Sequence, residues 1–325
     1  MAAPAIRLPA GFAAGHHTDR DHWTGCTAVL APPGAIGAAE VRGGGPGTRE
    51  SDILTPASSP PGVNAVLLTG GSAYGLGAAE GVVRHLDERG IGFPTPEGLV
   101  PLVAAGVVYD LWLGGTHAPS ADDAYAACRA ASDAPERGSV GAGTGCTVGK
   151  LLGHEACTKG GLGLARVDVA GAAVAAIAAA NSFGEVVGED GAIMAGAWRD
   201  GRYAATLELL RDGHRPPFPR ESTTLACVLT DARLDKTQAW LVARAANSGV
   251  ARAVRPSATA VDGDVVWCMA AGEVEADPFA ISTAAAEATA AAIRDAVSQA
   301  TGAPGVPAAR ERERTTAQRS PARPR

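Results

Sequence analysis

The run VAGAAVAAIAAAN, from Val169 to Asn181, carries no side chain larger than isoleucine and ends on an amide. Buried, such a segment draws neighbouring backbone close to it, because there is little side chain to hold that backbone away. The run is too short and too rich in alanine to span a bilayer. Its periodicity is compatible with a strand or a helix, and both readings stay open. The same bias extends along the chain. Hydrophobic residues make up 46% of it but aromatic residues only 4%, and glycine occurs 42 times. A core built from alanine and glycine favours helices lying close on sheets. The 325 residues accommodate one large domain or two ordinary ones.

Strand and helix signals alternate irregularly, with glycine at most corners. Ala65–Leu68 is an apolar strand, broken by Gly70 and Gly71; a helix capped by Ser72 is expected from there to about Arg89, closed by Gly90. A second apolar run, Leu99–Leu111, holds Tyr109 near its end, and Ser120–Ser132 reads as a capped helix. A glycine-rich loop covers Arg137–Gly153. After a polar connector rich in proline and arginine, Thr223–Asp231 is a strand and Leu234–Val254 a helix begun by Asp235. Asp262–Gly272 is a turn and a buried strand, and a helix capped by Ser282 runs to Ala300. Residues 303–325, rich in proline and arginine, are expected to form a disordered tail. The pattern predicts an α/β layered protein with mixed sheets, a single domain covering residues 1–302.

Charge and cysteine usage narrow the function classes. The net charge is −6 and no basic cluster marks the body of the chain, which argues against a nucleic-acid partner. The six cysteines are dispersed with no CxxC pair, so a reducing, cytoplasmic setting without disulfides is expected. No membrane segment is expected. The glycine loops lack both the dinucleotide spacing and the phosphate-loop spacing, since Thr144 and Leu151 stand where a glycine and a hydroxyl are required. His16, His17 and His22 form no metal motif and read as solvated histidines.

The remaining polar residues point to acyl chemistry. Asp262 and Asp264 flank Gly263, and alternation puts both carboxylates on one face; a plain turn is the competing reading. A partly desolvated Lys150 or Lys159 beside a hydroxyl would lower its proton affinity. Asn181 offers an amide to an oxyanion, and Tyr109 caps the core or lines a site. Thr223 opens a strand behind a charged loop. If it became an N-terminus, its own α-amine would serve as the base its hydroxyl lacks. The hydroxyl would first attack the Ser222 carbonyl, giving an ester that water cleaves.

These residues sit in blocks that resemble the DmpA or S58 family of peptidases: GHHTD, TGCTAVLAPPGA, RGGGPGTRESDIL, LTGGSAYGLGAAEGVVRHLDERGIGF, GSVGAGTGCTVGK, KGGLG, NSFGEVV and STTLACVLTDARLDKTQ. That family includes L-aminopeptidase/D-esterases, β-aminopeptidases and nylon-oligomer endohydrolases. The resemblance implies a four-layer αββα sandwich akin to N-terminal-nucleophile hydrolases. It implies self-cleavage between Ser222 and Thr223 into an α subunit, 1–222, and a β subunit with its core at 223–302. It assigns Thr223 as nucleophile, Asn181 to the oxyanion, Tyr109 and Lys150 to the site with Lys159 as a rival, and Asp262 and Asp264 as the acidic pair of the nylon-oligomer branch. Ser222 departs from the Asn or Gly usual before the nucleophile. The implied substrate is a small peptide or amide, with no metal or cofactor, no nucleic acid and no membrane, in a homo-oligomer of processed units for which four is the natural number. Two rival readings follow from the same residues: acyl transfer of the ornithine acetyltransferase type, and an uncleaved binding scaffold.

Overall fold

The alanine run is a strand. All ten residues of Ala172–Asn181 are buried, because one face meets a second sheet and the other meets helices. A strand covered on both faces shows no alternation, which is why periodicity left it open. The computed structural model describes residues 4–216 and 221–319. Residues 217–220 of the proline- and arginine-rich connector and 320–325 of the C-terminal segment lie outside the described residues.

In chain order the main strands are β1 (Ala13–Asp19), β2 (Thr24–Leu30), β3 (Ile36–Val41), β4 (Thr48–Arg49), β5 (Ala65–Thr69), β6 (Val103–Val107), β7 (Gly161–Val169), β8 (Ala172–Asn181), β9 (Thr223–Ala232) and β10 (Val265–Val274). They form two five-stranded sheets, ordered β1-β2-β5-β6-β4 and β7-β8-β9-β10-β3. Both sheets are mixed: β5 runs parallel to β6 and β9 parallel to β10, and the remaining pairings are antiparallel. The main helices are α1 (Ala79–Asp87), α2 (Ala121–Arg129), α3 (Lys236–Ala253), α4 (Pro278–Gln299) and α5 (Ala309–Arg319), with shorter turns of helix at Leu111–Gly114 and Thr206–Arg211.

Four layers follow from which face each side chain takes. On β9, Leu225, Cys227 and Leu229 enter the space between the sheets with Trp267 and Met269 of β10 and Val66 and Leu68 of β5. The alternate residues Ala226 and Val228 pack with Val266 and Cys268 beneath α3 and α4. On the far side, α1 and α2 cover the first sheet through Val82, Leu86, Ala124 and Ala127. The architecture is the expected αββα sandwich. Small residues permit its close layers: a Cβ on Gly163 would stand 1.9 Å from the Ala292 carbonyl oxygen of α4, and one on Gly106 would stand 2.4 Å from the Trp267 ring. All six cysteines are buried free thiols. No helix among the described residues is long and apolar enough to cross a membrane.

Several sequence expectations are corrected. Ser72 caps nothing: it has a positive φ of 51°, and Ser72–Ala78 is a 3₁₀ segment before α1 begins at Ala79. The segment is so tight that a Cβ on Gly75 would lie 1.9 Å from the Gly70 carbonyl oxygen. Helix α4 starts before Ser282, at Pro278, with Asp277 capping it. Residues 303–319 are a turn and a helix rather than a disordered tail. Three of their small apolar residues, Val306, Ala308 and Ala309, are buried, and the Arg312 guanidinium donates to the Cys157 carbonyl and lies over the Trp198 ring. Of the three histidines only His16 departs from the solvated reading, its Nδ1 lying 3.0 Å from Thr27 Oγ1; His17 keeps partial exposure beside Asp123, and exposed His22 bonds Asp19 and stacks on His117. Burial pushes His16 down to about 4.

Candidate active site

Sheet order alone gathers the central residues. Thr223, the first residue of β9, faces Asn181, the last residue of β8, across an antiparallel pair. On its other side β9 runs parallel to β10, and Ser222 forms an isolated bridge with Asp262 just before β10 begins. Asn181, Ser222, Thr223, Asp262 and Asp264 thus share one end of three adjacent strands, all buried, with Thr223 6% exposed.

The peptide between Ser222 and Thr223 is intact here, and its carbonyl is held from two sides. The Thr223 hydroxyl donates to the Ser222 carbonyl oxygen at 2.6 Å. The backbone N–H of Gly263 donates to the same oxygen at 2.8 Å. A Cβ on Gly263 would stand 2.8 Å from Thr223 Oγ1 and from the Gly45 carbonyl oxygen, so the close approach requires glycine. Asp262 accepts from the Phe183 and Thr259 N–H groups, both at 3.1 Å, and from the Thr259 hydroxyl. Asp264 accepts from the Thr224 N–H at 2.6 Å and the Ala258 N–H at 2.8 Å. The 258–259 turn therefore cradles both carboxylates. Burial, and then the neighbouring Asp262 charge, push Asp264 well above the usual carboxylate range.

Lys150 lies on the acyl side of this peptide. Its ammonium donates to the Asn181 carbonyl at 3.0 Å, the Asn181 Oδ1 at 2.9 Å and the Glu221 carbonyl at 2.5 Å. These three bonds satisfy all its protons, and burial lowers its pKa to about 8. Asn181 Oδ1 also accepts the Thr147 N–H at 3.0 Å, and its Nδ2 donates to the Tyr109 carbonyl at 3.2 Å and, at a long 3.5 Å, to the Glu221 carbonyl. Tyr109 is half-buried, and its hydroxyl is held above its ordinary pKa by burial and by the Glu221 carboxylate. Lys159 sits elsewhere, donating to the Gly143 and Cys146 carbonyls of the glycine loop and to that of its neighbour Gly160.

Four residues that sequence reasoning passed over also stand here. Gly263 was visible only as a turn residue between two aspartates. Glu221 was part of the polar connector. Its carboxylate Oε2 lies 2.7 Å from His154 Nε2. The His154 ring stacks on Trp112 at 4.0 Å and 9°. Nothing local in the sequence marks His154 or Trp112, which come from two separate short helical turns, His154–Ala156 and Leu111–Gly114. The Trp112 turn is anchored by buried Asp110, which accepts from Thr24 Oγ1 at 2.8 Å and the Gly71 N–H at 2.7 Å, and which burial raises to about 6.

Comparison with known proteins identifies the family. The profile of peptidase family S58 matches residues 10–310. An uncharacterized aminopeptidase of Mycobacterium leprae is 40% identical over 315 residues, covering 85% of this chain and 81% of its own. A 6-aminohexanoate-oligomer endohydrolase of Kocuria sp. is 26% identical over 262 residues, covering 78% and 70%. Among solved structures, a Burkholderia sp. β-aminopeptidase superposes with a TM-score of 0.72 at 22% identity, covering 100% of this chain and 97% of its own. The L-aminopeptidase D-Ala-esterase/amidase of Ochrobactrum anthropi, described as a variant of the N-terminal-nucleophile hydrolase fold, gives 0.70 at 18%, covering 98% and 96%. A profile match over most of the chain, a close relative aligned along most of both lengths and a shared fold lead to one conclusion: the chain is a hydrolase of peptidase family S58.

Proposed function

We propose that the chain cuts itself between Ser222 and Thr223 and then hydrolyses peptide or amide bonds through an acyl-enzyme on Thr223. One observation carries this reading: the Thr223 hydroxyl contacts the carbonyl it must attack, while the Gly263 N–H already donates to that carbonyl oxygen. Negative charge developing on the oxygen is stabilised by a fixed donor without reorganisation. Cleavage frees the Thr223 α-amine, which has an ordinary pKa of ~7.7–8.0 and serves as general base in later turnovers. Asp262 and Asp264 orient the nucleophile and its amine. The Asn181 amide supports the substrate oxyanion, Lys150 tunes the hydroxyl through its charge, and Tyr109 lines the site.

The test is a denaturing gel of purified protein followed by N-terminal sequencing. The reading expects two bands, the smaller starting at Thr223, and one uncut band for Thr223→Ala. Wild-type protein that stays uncut and inert after long incubation overturns it.

A further inference from the structure

The residue that precedes the scissile pair has its own binding site. Its carbonyl accepts the Lys150 ammonium at 2.5 Å, and its carboxylate meets His154 Nε2 at 2.7 Å. His154 is steadied by its stack on Trp112 and by the loop around it, where the Cys157 thiol donates to the His154 carbonyl at 2.9 Å. The Glu221 and His154 side chains are only 16% and 22% exposed, so the contact is largely shielded from water. Connectors of this kind ordinarily keep their charges in solvent. Here the acidic side chain is folded inward against a planar donor.

Resting on the Thr223 reading above, the chemistry of self-cleavage converts this contact into a statement about substrates. The Thr223 oxygen bonds to the Ser222 carbonyl carbon, the bond from that carbon to the Thr223 nitrogen breaks, and the hydroxyl proton ends on the freed amine. Water then adds to the ester, releasing Ser222 as a carboxylate and restoring the hydroxyl. The ester is itself an acyl-enzyme, whose acyl group is the chain ending Glu221–Ser222. A substrate acyl-enzyme differs from it only in the acyl group attached. Groups that hold Glu221 in the uncut chain are therefore the groups that meet the corresponding residue of a substrate.

We infer that His154, Trp112 and Lys150 form an acyl-side subsite for peptides bearing an acidic residue second from the scissile bond, next to a small residue at the bond itself. Lys150 reads the backbone carbonyl of that acidic residue and His154 its carboxylate. The subsite has a use only when the substrate continues past one residue on the acyl side, so the activity it serves is internal cleavage. His154 and Trp112 act here in binding, away from the bond that breaks.

The experiment compares two chromogenic peptides with the processed wild-type enzyme, acetyl-Ala-Glu-Ser-p-nitroanilide and acetyl-Ala-Gln-Ser-p-nitroanilide, at one pH. A shielded, charge-assisted contact predicts a kcat/KM for the Glu peptide roughly tenfold or more above that of the Gln peptide. In His154→Gln the ratio falls to about one, chiefly through the Glu peptide's KM. Equal rates in wild type, a preference for Gln, hydrolysis of neither peptide, or a Glu preference that survives His154→Gln each overturn the subsite. The wild-type ratio decides the matter alone if the variant does not fold. Failure of the Thr223 reading is distinct, since it shows as absent self-cleavage on the gel before any peptide is added.

Discussion

Lys150 and Lys159 lie nine positions apart and share a chemical setting. Both are buried, both are pushed down to about 8 by burial, and both donate to three oxygens. They differ in who owns the acceptors. Those of Lys159 are two carbonyls of the glycine loop, at Gly143 and Cys146, and that of its own neighbour Gly160, so the lysine ties the loop to the start of β7. Those of Lys150 include the Glu221 carbonyl, next to the proposed cut. On the reading proposed above, the same ammonium serves stability where its partners are fixed and chemistry where one partner can leave. Burial lowers both lysines to about 8, so it is the identity of their acceptors that separates them.

The largest effect that sharpens this comparison falls on Lys150. Lys150→Met is expected to slow self-cleavage and later turnover on the order of 10²-fold, because it removes the charge proposed to ease loss of the Thr223 hydroxyl proton. A gel time course and an amide-hydrolysis assay measure it. A fall in melting temperature with unchanged cleavage would make Lys150 a second structural tie.

Lys159→Met is expected to act on folding instead. Leaving three buried carbonyls without their donor lowers the unfolding free energy by about 3 kcal/mol. The pH dependence has a definite sign. Burial lowers Lys159 from 10.5 to about 8, so between those values the folded state binds fewer protons than the unfolded one. This lysine's contribution therefore rises with pH across the window, and the penalty for its buried charge is fully present below it. The Met variant lacks the rise. The stability gap between wild type and variant, from urea unfolding, widens from about 8 upward; a constant or narrowing gap contradicts the assignment.

A smaller effect separates the two carbonyls on the acyl side. Lys150 holds that of Glu221, and the Gly263 N–H holds that of Ser222. Gly263→Ala puts a methyl against Thr223 Oγ1 and the Gly45 carbonyl. It is expected to slow self-cleavage about tenfold, with a stability loss of about 1–3 kcal/mol from overpacking. Cleavage at the wild-type rate would show that the scissile carbonyl does not depend on this approach.

Much of the fold was legible in the sequence, and the exceptions have physical causes. Ser120 and Asp235 announced α2 and α3 correctly because a capping box is a local contact, completed within three residues by Asp123 and Gln238. Ser72 misled because the same residue type sits there in a left-handed conformation within a crowded turn. The alanine strand had no period to read, since both of its faces are buried. The C-terminal segment looked too polar to order, yet three small apolar residues and one buried guanidinium dock it. Among candidate site residues, Thr223, Asn181, Lys150, Asp262, Asp264 and Tyr109 stood out by type and motif. His154, Trp112 and Glu221 did not, because their significance lies in contacts across the fold.

The sequence by itself determined the layers: a core of alanine, glycine and aliphatic residues can only be buried by close stacking of strands and helices. It also placed a hydroxyl, an amide, a lysine and two carboxylates near element ends. Tertiary structure alone decided which of them meet. Setting β8, β9 and β10 side by side puts Asn181, Thr223 and the Asp262–Asp264 turn at one sheet end, although long stretches of chain separate them. Only the folded chain shows which lysine faces the segment of the proposed cut, because hydrogen-bond partners depend on distances that no local pattern encodes.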